Sequence, residues 1–512
     1  MRRILLIALI MLGGCTERPI KNAPVPVSSL AQDLPTYKAP LVPELEPLPL
    51  VDHTGDLALH QALALSLLHN PQLQAHAWDL RGAEAAVLQN RLRLNPVLGL
   101  KVENVGGNNA LSGFDGAVNT LRITQAIELG DKRLKRTRLA QQQHALSNWD
   151  YEAQRLQVIA QTGHRYIDVL AATQNLKLSN QALTLAQGLY TIIKSRTVQG
   201  VAATVELDKA RIQVNTRKID LENRTRQLTA LRHHLAAMWD TSAPEFGQLL
   251  GSLQDIPVLP TYAHLETLIK RNPDLARWSA EISARQAALE LANTRAIPNL
   301  IVGGGVRRFN ATDDDAFVFE LGLPLPLVNR NQGAKRQARY NLQQAKALQR
   351  QAHANAHTTL QQMFQDLSAA HYAQSLLNNE SLPAARAAFN AAQKAFTQGV
   401  TDYLNVLDAE RTLIASQYEH IAALSAFHKT LMSVEAFLGT SVGTMTRTTD
   451  PPAGNGIDNT QSVSREALGL IRAGDCIGRI LGPNIKRSGI QQLDLKRDQG
   501  GTPLVNRLGR GR

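Results

Sequence analysis

The chain is written twice. Asn70-Pro71 recurs as Asn272-Pro273, and the proline 25 residues beyond, Pro96, recurs as Pro298. Leu63, Leu67 and Leu73 correspond to Leu265, Ile269 and Leu275, every pair 202 residues apart. Further on, Gln199-Gly200-Val201 recurs as Gln398-Gly399-Val400, Leu207-Asp208 as Leu407-Asp408 and Arg211 as Arg411, at offsets of 199 and 200. A period near 200 is too long for a solenoid repeat, so the body is a duplicated domain whose halves share one order of elements.

Each half opens with a helix of about 20 residues, 71–93 and 273–295. Two short strands follow, 97–105 and 117–127 in the first half and 300–309 and 316–325 in the second, separated by turn-rich loops. A very long Ala/Gln/Leu-rich helix comes next, 131–195 and 331–396, then a glycine turn and a closing helix, 205–239 and 402–438. On the first long helix Leu146, Trp149, Ala153, Leu156, Ala160, Gly163, Ile167 and Leu170 alternate spacings of 3 and 4, a sustained coiled-coil seam. Sixty-five helical residues span roughly 98 Å. A rod of that length must lie along its hairpin partner and other helices.

Four strands of about 9–11 residues suit a tilted transmembrane strand. Four cannot close a barrel, since single-chain barrels start at about eight strands. Open edges are not tolerated in hydrocarbon, where unpaired backbone groups find no water. Strands that enter a membrane must therefore be pooled, and three chains give twelve. The competing reading is two hairpins capping a soluble coiled coil.

The N-terminus sets the compartment. Arg2 and Arg3 precede nine apolar residues, 4–12, too short to span a bilayer but suited to a signal peptide. Leu12-Gly13-Gly14-Cys15 resembles a bacterial lipoprotein signal, in which the cysteine is acylated and becomes the new N-terminus. With Thr16 next, the resemblance implies transfer to the outer membrane. The net charge of +12 would by itself permit a nucleic-acid partner; export argues against one. Residues 19–49 hold eight of the 22 prolines, which disfavours helix and suggests a stiff tether. Two cysteines, Cys15 and Cys476, exclude a disulfide scaffold and a four-cysteine zinc site. No stretch after residue 14 is apolar over about 18 residues, so no internal transmembrane helix is expected.

These features, with Asn95-Pro96-Val97-Leu98, Val102-Glu103-Asn104-Val105-Gly106-Gly107, the run from Gln125 to Arg133 (QAIELGDKR) and Leu321-Gly322-Leu323-Pro324-Leu325-Pro326, resemble the outer-membrane factor (TolC-like) family. The local match is to its heavy-metal cation efflux (CzcC-like) branch, and the resemblance covers about residues 57–440. It implies a mainly α fold with a small β part: a homotrimer with a 12-stranded outer-membrane β-barrel joined to a periplasmic α-helical barrel. The implied role is the outer-membrane channel of a tripartite efflux system, conducting heavy-metal cations passively from periplasm to outside. The implied partners are a periplasmic membrane-fusion adaptor, an inner-membrane RND pump and outer-membrane lipid. The turns Gln199, Gly200, Val201 and Gln398, Gly399, Val400 look like the helix tips that meet the adaptor. Val406-Leu407-Asp408-Ala409 resembles the segment lining the closed periplasmic end. That makes Asp408, with its repeat counterpart Asp208, the candidate aperture residue. In the family an acidic residue one turn earlier joins that ring; Asn405 stands there. Each aspartate also reads as an ordinary solvated carboxylate.

The expected organisation is a lipoprotein signal peptide at 1–14, a Pro-rich tether at 15–56, repeats at 57–256 and 257–441, and a basic tail at 442–512. The tail carries eleven Lys+Arg and six Asp+Glu, has no heptad and reads as disordered. No phosphate-binding loop or HExxH zinc motif occurs, no cofactor is expected, and no catalytic spacing points to an enzyme. His353 and His357 stand i, i+4 with no third ligand evident, and His233-His234 point apart on a helix. Asp313-Asp314-Asp315 reads as a soluble loop rather than a Ca²⁺ site. A drug or polypeptide duct of the same fold, or an exported coiled-coil spacer without a pore, remains the alternative.

Overall fold

The computed structural model describes residues 28–41 and 54–442, without the side chain of Ala110. The expected signal peptide, Cys15, most of the tether, and the tail from residue 443 on, with Cys476, lie outside the described residues. What is described belongs to one unit, Met1–Thr448; Thr449–Arg512 is a separate unit outside the described residues.

The first half runs β1 (Gly55–Leu57), α1 (Leu59–His69), α2 (Pro71–Arg91), β2 (Val97–Glu103), β3 (Val118–Ile127), α3 (Lys132–Val198), α4 (Thr204–Ala236) and β4 (Phe246–Leu249). The second runs α5 (Tyr262–Leu268), α6 (Pro273–Thr294), β5 (Leu300–Phe309), β6 (Asp314–Gly322), α7 (Gln332–Leu376), α8 (Leu382–Thr397) and α9 (Tyr403–Leu438).

The repeated Asn-Pro pair acquires a cause. Asn70 caps α2 by accepting from the backbone N–H groups of Gln72 and Leu73, and Asn272 caps α6 by accepting from that of Leu275. Proline follows at N1, where a missing N–H costs nothing. Each asparagine amide also donates to the far end of its own half: Asn70 to the Met238 carbonyl (3.0 Å) and Asn272 to the Phe437 carbonyl (2.7 Å). Both side chains are buried, so these bonds lock the start of each half to its last helical turn.

Two apolar cores repeat with the sequence. Leu57, Leu63, Leu67, Tyr166, Trp239 and Phe246 form one; Leu265, Leu268, Leu360, Phe427 and Val434 form its counterpart. Of the expected heptad positions on α3, Leu156, Gly163 and Ile167 are buried and the other five half-buried. Gly163 is required by contact: a Cβ there would stand 1.6 Å from Met432 Sδ on α9. A neighbouring stripe on α3 is equally buried and largely polar, through His144, Asn148, Glu152, Arg155 and Thr162. Periodicity of apolar residues passes over such a stripe.

Three expectations are corrected. The described chain has six strands, not four: β1 and β4 pair in parallel as a separate two-stranded sheet. They escape a pattern search because they are three and four residues long. The second long helix is interrupted by a π-helical turn, Leu377–Ser381, between α7 and α8; such a turn accommodates one extra residue. Finally, α9 does contain one apolar window, of mean hydropathy 1.2, long enough by length and composition to cross a membrane. Its apolar residues are occupied within the chain: Phe427, Val434 and Leu438 pack with Leu360 and Leu367 of α7, and Leu424 with Ile167 of α3.

Candidate functional site: channel wall and helix tips

The larger sheet has the order β2-β3-β5-β6, all antiparallel, so the two halves' hairpins join at β3 and β5. Among the described residues, β2 and β6 each have one unpaired edge. The register sorts side chains onto two faces. One presents Leu98, Leu100, Leu121, Ile123, Phe317, Phe319 and Leu321, of which Phe319 is 86% exposed. The other carries Lys101, Glu103, Thr120, Arg122, Arg307 and Glu320. Arg122 on β3 reaches across β5, above Gly303 and Gly305, to bond Glu320 on β6 at 2.6 Å. An exposed apolar face backed by a polar, ion-paired face is the pattern of a wall between hydrocarbon and water.

From this sheet α3 runs 67 residues to the opposite end, about 100 Å. There Gly200 (φ +74°) and Gly399 (φ +75°) take the left-handed conformation that a non-glycine side chain resists. In both tips the glycine N–H and the following valine N–H return to the last helical turn, Gly200 to Thr197 and Val201 to Arg196, Gly399 to Phe396 and Val400 to Ala395. Gln199, Gln398, Val201 (64% exposed) and Val400 (77%) project from the two turns. A third core, including Leu189, Ile193, Phe389, Phe396, Tyr403 and Val406, packs the tips together. Arg196 bridges them, donating to the Phe396 carbonyl at 2.8 Å with its guanidinium 4.7 Å from that ring's centroid. Sequence reading found both tips and missed the arginine joining them.

Asp208 and Asp408 lie in the second turns of α4 and α9, just beyond the tips, and both are exposed. Asp208 faces Arg211 at 3.8 Å, a pair too solvated to hold either helix. The buried acid of this region is one the sequence did not single out. Glu410 is fully buried and accepts from Arg217 of α4 at 3.2 Å, while its Oε2 has no partner among the described residues. Burial pushes its carboxyl above the ordinary carboxylate range, against the pull of Arg217. Higher on the rod, Asp220 of α4 gathers Ser179 of α3 (2.8 Å), Tyr418 of α9 (2.9 Å) and Arg224 (3.3 Å). Burial raises its carboxyl, but these donors together outweigh burial and hold it below its usual value.

The other candidates are placed apart from the tips. His353 and His357 border a groove with Lys270, and Glu266 reaches His357 Nδ1 at 3.7 Å as an ion-pair partner. Among the described residues no three His, Cys, Asp or Glu side chains form a metal-holding group. His233 Nδ1 bonds the Ser242 carbonyl. Asp313 and Asp315 both pair with Arg308 at the β5–β6 turn.

The description "Outer membrane efflux protein" matches residues 62–240 and 264–440, thus both halves. The chain is 29% identical over 388 residues to the cobalt-zinc-cadmium resistance protein CzcC of Cupriavidus metallidurans, covering 75% of this chain and 90% of that protein. Among solved structures, one of CusC superposes with a TM-score of 0.59 at 18% identity, covering 80% of this chain and 99% of that one. The outer membrane protein VceC of Vibrio cholerae gives 0.58 at 17%, covering 75% and 96%. These two likenesses concern the fold.

Proposed function

Because the chain belongs to the outer membrane efflux protein family, we propose that it is the outer-membrane channel of a tripartite efflux system and conducts heavy-metal cations out of the periplasm. The observation that carries this reading is the four-stranded sheet: one face apolar and exposed, both edges open, mounted on a rod about 100 Å long. Three copies supply twelve strands and leave no edge for hydrocarbon to strand. The polar face then lines water, and the paired helices continue the passage through the periplasm. The cargo follows from the likeness to CzcC, whose name records cobalt, zinc and cadmium resistance.

In this reading Cys15 carries the acyl anchor to the outer membrane. The exposed tips, Gln199 to Val201 and Gln398 to Val400, meet the periplasmic adaptor, and an inner-membrane RND pump supplies the energy. Asp408 and Asp208 stand at the tip end, where three copies gather like charges around one axis and attract a cation between them. The protein forms and breaks no bond in its cargo. Opening consists of separating packed helices, and Arg196–Phe396 and Glu410–Arg217 are the contacts within each chain that such movement strains.

Two measurements test this. Purified trimer in a planar bilayer is expected to conduct; absence of conductance, with folded trimer verified, favours the spacer reading. Deleting the gene is expected to sensitise cells to Co²⁺, Zn²⁺ or Cd²⁺ and leave growth on dyes unchanged. The reverse pattern assigns the duct to organic cargo.

A further inference from the structure

Glu152 and Arg155 are a charged pair where a coiled-coil seam would ordinarily place apolar residues. Their side chains are 3% and 4% exposed, and they bond each other at 2.8 and 2.9 Å. Burying both charges is costly unless the remaining donors and acceptors are met. What meets them is the chain's own N-terminal arm, residues 28–41. Ser28 N–H donates to Glu152 Oε1 (3.0 Å). Arg155 donates to Ser28 Oγ (2.7 Å) and to the carbonyls of Leu30 (3.0 Å), Ala31 and Ser28 (3.4 Å each).

The arm is held further along as well. Leu30 N–H reaches the Gly439 carbonyl and Ser29 Oγ reaches Thr440. Tyr37 N–H donates to the Leu67 carbonyl, Tyr151 donates to that of Tyr37, and Arg81 to that of Ala39. Glu152 and Arg155 hold Ser28, the first of the described residues.

The distances bear on function. Arg155 lies 23 residues from the start of α3, so about 35 Å along the helix from the foot of the sheet. Between Cys15 and Ser28 there are 13 residue steps, which reach at most about 43–47 Å. The slack is roughly 10 Å on the same arithmetic. We infer that Glu152 and Arg155 form a receptor for the N-terminal arm that sets the length of the lipid leash. They hold the arm at a height from which an acylated Cys15 just reaches the membrane leaflet into which the sheet inserts. This inference rests on Cys15 carrying the anchor, as proposed above.

The test uses the full-length chain in cells. Radiolabelled palmitate first reports whether Cys15 is acylated. Residues 17–22 are then deleted, shortening the reach by about 20 Å, or matched by a six-residue Gly-Ser insertion. Outer-membrane trimer is expected to fall at least tenfold in the deletion and to stay within twofold in the insertion. Releasing the arm back to Tyr37, by the triple variant S28P/S29A/L30P, which removes the contacts with Glu152, Thr440 and Gly439 and leaves α3 untouched, is expected to restore the deleted chain to within twofold of wild type. Normal trimer from the deletion in an acylated chain overturns the leash alone. So does failure of S28P/S29A/L30P to rescue it. An unlabelled Cys15 overturns the leash together with the anchor.

Discussion

Glu410 shows how much one side chain can carry without a trace in the local sequence. It stands two positions from Asp408, its partner Arg217 is 193 residues away, and no periodicity encodes that meeting. Arg217 is only 13% exposed, so E410A leaves a buried guanidinium unpaired, and a loss of about 3–5 kcal/mol in unfolding free energy is expected. E410Q is expected to lose less and to change the pH response. The folded chain holds the Glu410 proton more tightly than the unfolded chain, whose value is near 4.5. That preference contributes stability fully below pH 4.5 and loses it as pH rises through the raised folded value. Thermal midpoints of wild type are therefore expected to decline relative to E410Q across that interval. A constant difference would show that the carboxyl keeps its ordinary affinity.

The repeated helices and the strand hairpins were legible because their signals are local. Asn-Pro pairs, a 3-4 spacing and turn-rich loops each act within a few residues. The π turn at Leu377–Ser381 was not, since a one-residue excess in a long Ala-rich helix leaves the composition unchanged. Its nature yields an expectation. Removing Asn379 converts the turn to α-helix and keeps Phe389 and Phe396 facing their core, so a loss under about 1 kcal/mol is expected. Removing Thr173 from uninterrupted α3 rotates everything beyond it, including Leu189 and Ile193, and is expected to abolish stable trimer. Far-ultraviolet circular dichroism during thermal unfolding, with trimer yield, separates the two. The polar stripe through Glu152 and Arg155 was hidden for the opposite reason: its residues look like a solvated face, and the partners that satisfy Glu152 and Arg155 come from an arm more than a hundred residues away. The candidate site divides in the same way. The exposed tip turns announced themselves through glycine, whereas Arg196, Glu410 and Asp220 act through partners on other helices.

Assembly gives the wall its meaning, and adjacent residues on β6 distinguish its two sides. Phe319 belongs to the apolar face and Val318 to the polar one, opposite Gly305. F319R places a charge in hydrocarbon, with an expected cost of about 2–4 kcal/mol if the residue sits near the bilayer midplane. V318R points into water and is expected to leave trimer yield unchanged while altering ion selectivity in a planar bilayer. Equal damage from both would mean that the sheet has no lipid side. The same accounting explains why one chain is an incomplete object: its helices bury cores of their own, while its sheet has two margins that only another copy can complete.

The hydrogen bonds from Leu30 to Gly439 and from Ser29 to Thr440 have a temporal consequence. A ribosome makes the arm first and its docking partners some four hundred residues later. The beginning of the molecule must wait for the end, and a product truncated before Gly439 cannot fully seat its own start. Seating thereby registers that synthesis of both halves is complete.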